Sequence, residues 1–201
     1  MLIRRWMVAL TPLLLAGCVH RTNVPLRPNY TTEIKPGQAL GSVAPGLTFF
    51  RGDYADKRPD PTKLSTFKQG VHTYNLMEER PMANALYEGL AAQLSASKQK
   101  WNDTIPGDVK VNITFLNMNA ARNAGFVKVG ASATIQIKVD FLNAKTSNVI
   151  YSNVYTGRDE RDKSMIGGMG MVISSIDSAI LRCIQSIGDD AGLASALTKS
   201  R

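Results

Sequence analysis

Apolar and polar residues alternate most sharply in two stretches. Val109, Val111, Ile113 and Phe115 alternate with Lys110, Asn112 and Thr114; Ala133, Ile135, Ile137, Val139 and Phe141 alternate with Thr134, Gln136, Lys138 and Asp140. A period of two predicts strands with one buried face and one face left to solvent, as antiparallel sheets allow. The turn-rich residues 143–148 join the second strand to an apolar run over 149–155, which predicts a hairpin. Residues 47–51 have the content of a short strand, and 52–61 read as a loop. Residues 62–79 fit either a short strand or irregular cover.

Two stretches follow the helical period instead. After Pro81, tolerated in a first turn, Met82, Leu86, Leu90 and Leu94 recur every four residues, with Asn84, Glu88 and Gln93 on the polar side. Beyond the glycine-rich residues 167–170, Val172, Ile173, Ile176, Ile180, Cys183, Ile184 and Ile187 share one face as far as Gly188, and a short helix opened by Asp189-Asp190 is expected through Leu197. Apolar helix stripes and a one-faced sheet satisfy each other in a two-layer α+β domain over residues 47–201. The expected sheet is mixed, mainly antiparallel and of about four strands, with two helices packed on one face. The first strand and the strand after the first helix are expected to be parallel neighbours. Residues 18–46 carry Pro25, Pro28, Pro36 and Pro45 with Gly37, Gly41 and Gly46, and read as a tether, or as a segment partly packed along the domain.

The N-terminus has a different character. Arg4 and Arg5 precede an apolar run over residues 6–15, and Leu15-Ala16-Gly17-Cys18 closes it. This is the make-up of a secretory signal over residues 1–17, too short to span a bilayer as a mature helix of ~20 apolar residues. The closing sequence resembles the lipobox of bacterial lipoproteins. That resemblance implies cleavage after Gly17, palmitate-type lipid on Cys18 and membrane attachment through it. Val19, where aspartate would imply inner-membrane retention, implies the outer membrane with the domain facing the periplasm. An ordinary signal with a chance cysteine, or an uncut anchor, are the alternatives.

Charge narrows the partners. There are 24 Lys and Arg against 16 Asp and Glu, a formal net charge of +8, but the basic residues are dispersed and often sit beside acids, as over residues 158–163. Without a basic stripe or aromatic platforms, nucleic acid is not an expected partner. Mild basicity suits anionic lipid head groups or glycan phosphates, or only solubility. Cys183 has no intrachain partner if Cys18 is lipidated, and its place in a helix stripe predicts a buried, inert thiol.

Catalytic chemistry finds few residues. The two histidines, His20 and His72, match no metal spacing, the cysteines cannot form a zinc site, and no G-x-S-x-G elbow occurs. Asp53, Asp56 and Asp60 cluster, but Lys57 and Arg58 lie among them and turn bonding explains them. No enzyme activity, cofactor or metal is expected. Met165, Met169 and Met171 beside mobile glycines are candidate contacts for a partner or lipid, with core packing as the alternative.

The order of these features resembles the YajG-type lipoprotein family of Gram-negative envelopes. The resemblance rests on Leu15-Ala16-Gly17-Cys18, the helix around Ala85-Leu86, the β-rich run over 131–157 and the apolar helix over 170–187. The plan is also similar to the lipopolysaccharide-assembly lipoprotein and to auxiliary lipoproteins of lipid-transport systems. It implies a small α+β domain with a non-catalytic binding, assembly or transport role and an envelope protein as partner. The other function expected is a lipid- or glycan-binding module using a groove between helices and sheet.

Overall fold

The alternating stretches are the centre of the molecule. In a computed structural model, which describes residues 20–28, 34–69, 72–124, 129–164 and 168–200, they form strands β6 (Val109–Ala124) and β7 (Val129–Asn143), paired antiparallel. The predicted hairpin partner is β8 (Val149–Ser164), antiparallel to β7. Strand β2 (Thr48–Asp56) lies parallel to β6 on its other side, as expected for the strand before the first helix. The short β5 (Lys100–Asn102) pairs parallel with β2 and completes the order β5-β2-β6-β7-β8.

β6 outruns its visible pattern because of a bulge. Phe115 faces Ile137 and Asn117 faces Gln136, so Leu116 is extra. One inserted residue flips every later side chain. The inward set accordingly changes from Val109, Val111, Ile113 and Phe115 to Met118 and Ala120, all buried.

The two predicted long helices are α2 (Met82–Ala96) and α3 (Met169–Gly188), which pack on each other; α4 (Ala191–Lys199) is the terminal helix. The α3 stripe is buried against β7 and β8, with Val172, Ile176, Ile180, Cys183, Ile184 and Ile187 at 0% exposure. Close approach of α3 requires Gly157 on β8, where a Cβ would fall 1.8 Å from the Ala179 carbonyl oxygen and 2.6 Å from the Cys183 nitrogen. Below the helices, Phe49 and Phe141 meet edge to face at 6.3 Å. α4 is fastened by Asp190, which caps it by accepting from the Leu193 N–H at 3.1 Å. The same carboxylate accepts from Tyr155 at 2.8 Å, Tyr151 at 3.0 Å and Asn153 at 3.0 Å, all on β8.

The expected element count needs correction. The structure is a mixed α+β fold, but its described residues hold eight strands in two sheets and four helices, against about four strands, two packed helices and a short terminal helix. The ambiguous residues 62–79 supply β3 (Ser65–Gln69) and β4 (His72–Glu78), which are antiparallel. For residues 18–46, read as a tether or as a segment partly packed along the domain, the described residues follow the second reading. His20–Leu26 forms β1, parallel to β4 and at the edge of a second sheet ordered β1-β4-β3. Pro25 is tolerated there because an edge strand has one side free of ladder bonds. Gln38–Ser42 forms α1, where Leu40 is fully buried. The Gly37 N–H donates to Ser97 Oγ at 3.1 Å and the Gln38 N–H to Asp189 Oδ1 at 2.8 Å.

Candidate functional site

The residues singled out by sequence do not converge. Cys18 and Met165 lie outside the described residues. Met169 and Met171, at the start of α3, are partly buried against the core, which is the packing alternative. The three aspartates, of which Asp53 and Asp56 lie on β2 and not in the loop expected over residues 52–61, separate into unconnected ion pairs. Asp53 pairs with Lys110 at 2.7 Å. Asp60 accepts from Thr62 and pairs with Lys63, contacts that hold its carboxyl down to about 2. Asp56 grips the buried Arg58, whose guanidinium also reaches Glu78 at 3.1 Å and the Lys63 carbonyl at 2.9 Å, and lies 4.4 Å above the Phe115 ring. Burial opposes ionisation of Asp56, but the hydrogen bonds and charge of Arg58 outweigh it and hold the carboxyl below its ordinary range. Arg58 is thus a clamp joining the end of β2 to β4 and β6. Burial pushes the Cys183 thiol up to about 12, as expected of an inert core cysteine. Among the described residues, no three His, Cys, Asp or Glu side chains are grouped as a metal would need.

A recess between α2 and the β5 edge of the large sheet has more chemical character. Its volume is about 210 Å³, and its walls come from β2, α2, β5 and the turn after β5. Tyr87 forms the floor. Its ring is 1% exposed, and its hydroxyl proton is shared between the carbonyls of Asp53, at 2.9 Å, and Val111, at 3.1 Å. Those carbonyls are available because β2 bulges against β6 between Arg51 and Tyr54. Burial, the main cause, pushes the Tyr87 hydroxyl up to about 12, so it stays a neutral donor.

Two side chains frame that floor. The Arg51 guanidinium lies 4.6 Å above the Tyr87 ring, a cation–π distance. Trp101 on β5 stands 6.1 Å from Tyr87 between ring centroids, and its indole N–H donates to Asp103 at 2.8 Å. Helix α2 adds Asn84 and Glu88, one turn apart, and Glu88 pairs with Arg80. No ion pair engages Arg51 among the described residues, so the recess sets its guanidinium beside the Trp101 ring, with Asp103 and the Arg80–Glu88 pair also in the walls. A shallower cleft of about 410 Å³ lies at the strand ends beside Pro45, Asp108, Lys145 and Ser200. It lacks any aromatic wall.

The sequence pattern singles out neither Tyr87 nor Trp101, and the recess is not legible in it. The polar pair Asn84 and Glu88 at i, i+4 was visible, but its facing residues come from β2 and β5. Only tertiary structure brings them together.

No family model matches the chain, and no curated protein matches it in sequence. Its fold has relatives. Protein XCC0632 from Xanthomonas campestris, of family DUF330, is similar with a TM-score of 0.61 over 90% of this chain and 99% of that chain, at 13% identity. Lipoprotein GNA1162 from Neisseria meningitidis is similar over 63% of this chain and 90% of that one, with a TM-score of 0.38 and 10% identity. At 13% identity the likeness to XCC0632 is one of fold.

Proposed function

We propose that the protein is a lipid-anchored envelope lipoprotein, held by acyl chains on Cys18 at the periplasmic face of the outer membrane, and that it acts as a non-catalytic binding, assembly or transport accessory. The observation that carries this reading is Leu15-Ala16-Gly17-Cys18 behind a short apolar run. Support comes from the carboxylates considered for catalysis, each engaged in a separate ion pair. The partner is an envelope protein in this reading. Fractionation of cells labelled with a palmitate analogue tests it. Wild-type protein should carry label and leave the membrane only in detergent, while Cys18→Ser should lose all label and keep the wild-type melting temperature. Label retained by Cys18→Ser would contradict the assignment.

The recess between α2 and β5 favours a second reading, a glycan- or lipid-head-group-binding module. Its volume lies below the roughly 300–1,000 Å³ of drug-sized pockets, which suits a single ring or head group. Trp101 offers a face for a ring above the buried Tyr87 floor, and Arg51 offers charge-assisted hydrogen bonds to an anionic substituent. Trp101 is the only tryptophan in residues 18–201, so its fluorescence reports on this site alone. Titration with acidic or phosphorylated saccharides should give a saturable change that Arg51→Ala weakens about tenfold or more, the worth of a hydrogen bond to a charged group. A flat titration across acidic and phosphorylated saccharides and anionic head groups would remove this reading.

A further inference from the structure

We infer that the end of the small sheet at which β1 begins rests directly on the bilayer that holds the protein, with anionic lipid head groups as its partner. The inference depends on the reading of Cys18 as the lipidated residue. Only Val19 separates Cys18 from His20, the first residue of β1. Two residues span at most about 7 Å even when fully extended. The acyl chains therefore cannot hold the domain at a distance, and whatever lies at that end of β1 must meet the head groups.

What lies there is cationic. Arg21, Thr73 and Lys68 stand side by side across β1, β4 and β3. Neighbours in register point to the same side of a sheet, so Arg21 and Lys68 share a face, and both are exposed. The row beyond them, at the strand ends, is His20, His72 and Gln69. No carboxylate belongs to either row. Acidic residues come at the opposite end, where Glu78 pairs in register with Leu26 and Glu79 follows, beside Arg27 and Arg80. The same face is stiffened between the two ends by a side-chain ladder, Thr66 to Asn75 at 3.1 Å and Asn75 to Asn23 at 3.2 Å. A seven-residue strand carries these two ends about 20 Å apart. The sheet is thus a short rigid post with its basic end at the lipid anchor.

The test uses the full lipidated chain, reconstituted in vesicles of phosphatidylethanolamine and phosphatidylglycerol that contain a head-group quencher. A fluorophore is attached at Gln69→Cys, at the basic end, or at Glu79→Cys, at the far end; Cys183 is buried and does not compete. Quenching should be strong at position 69 and weak at 79. Arg21→Glu with Lys68→Glu should lower the docked fraction by about fivefold for each basic residue lost, the weight of one such residue at an anionic surface. A ten-residue Gly-Ser insertion after Val19, an approximate spacer length on the scale of flexible linkers, should bring the two positions closer to equal. Mass measurement of the N-terminal peptide separates the two claims. With lipid on Cys18, equal quenching at 69 and 79 in the unmodified sequence overturns the docking and leaves the anchor standing. A peptide without lipid overturns both.

Discussion

Asp190 holds four donors with one carboxylate, and three of them come from β8 residues 35 to 39 positions earlier in the chain. Partial burial pushes its carboxyl toward protonation, but the bonds from Asn153, Tyr155, the Leu193 N–H and Tyr151 outweigh it, and the group is held below its ordinary range. A carboxyl with a lowered native pKa contributes stability that is fully present above its unfolded value, about 3.9, and is lost as pH falls through the native value. Asp190→Asn should therefore be less stable near neutrality and should lose less stability than wild type as pH falls below about 4. Denaturant midpoints measured from pH 6 to pH 2, a range chosen to span the roughly 3.9 reference value, check this. Parallel curves for the two proteins would refute it. Sequence reading made Asp190 only the start of a short helix, because nothing local marks Tyr151, Asn153 and Tyr155 as its partners. Cys183 was legible by contrast, since its burial follows from the period of its own helix.

Elements were readable where one periodicity ran without interruption. The helices α2 and α3, the first half of β6 and the later part of β7 each show a clean period, and the structure forms each of them there. The second half of β6 was hidden by the Leu116 bulge, which reverses the alternation. β1 was hidden by Pro25 and by its edge position, and β5 is only three residues long. Contact between elements can be tested at Gly157. A methyl group there must push α3 away from β8, since the Ala179 carbonyl and the Cys183 nitrogen occupy its place. Gly157→Ala should cost about 1–3 kcal/mol, as overpacking does, and lower the melting temperature by roughly 3–10 °C for a domain of this size. Gly41→Ala, on α1 with nothing within 4 Å of the new methyl, should stay within about 0.5 kcal/mol of wild type. Equal melting temperatures for the two variants would show that α3 is not seated on Gly157.

For the whole molecule, the long apolar segments divide into two kinds. Among the described residues, α3 alone is long and apolar enough to cross a bilayer, but its stripe is buried against β7 and β8 and serves the core. Residues 6–15 form the other apolar run, and they end at the small residues before Cys18. The proposed attachment through lipid on Cys18 fits both facts, and under that proposal the folded domain starts within two residues of the membrane. The fold class was legible from the paired patterns of helix and sheet. The recess at Arg51, Tyr87 and Trp101 was not, because it is assembled from three elements that are distant in sequence. The anchor is best tested by the mass of the N-terminal peptide of protein extracted from membranes. That peptide should begin at Cys18 and carry acyl chains on it. A peptide beginning at Met1, or one with an unmodified Cys18 thiol, would contradict the assignment.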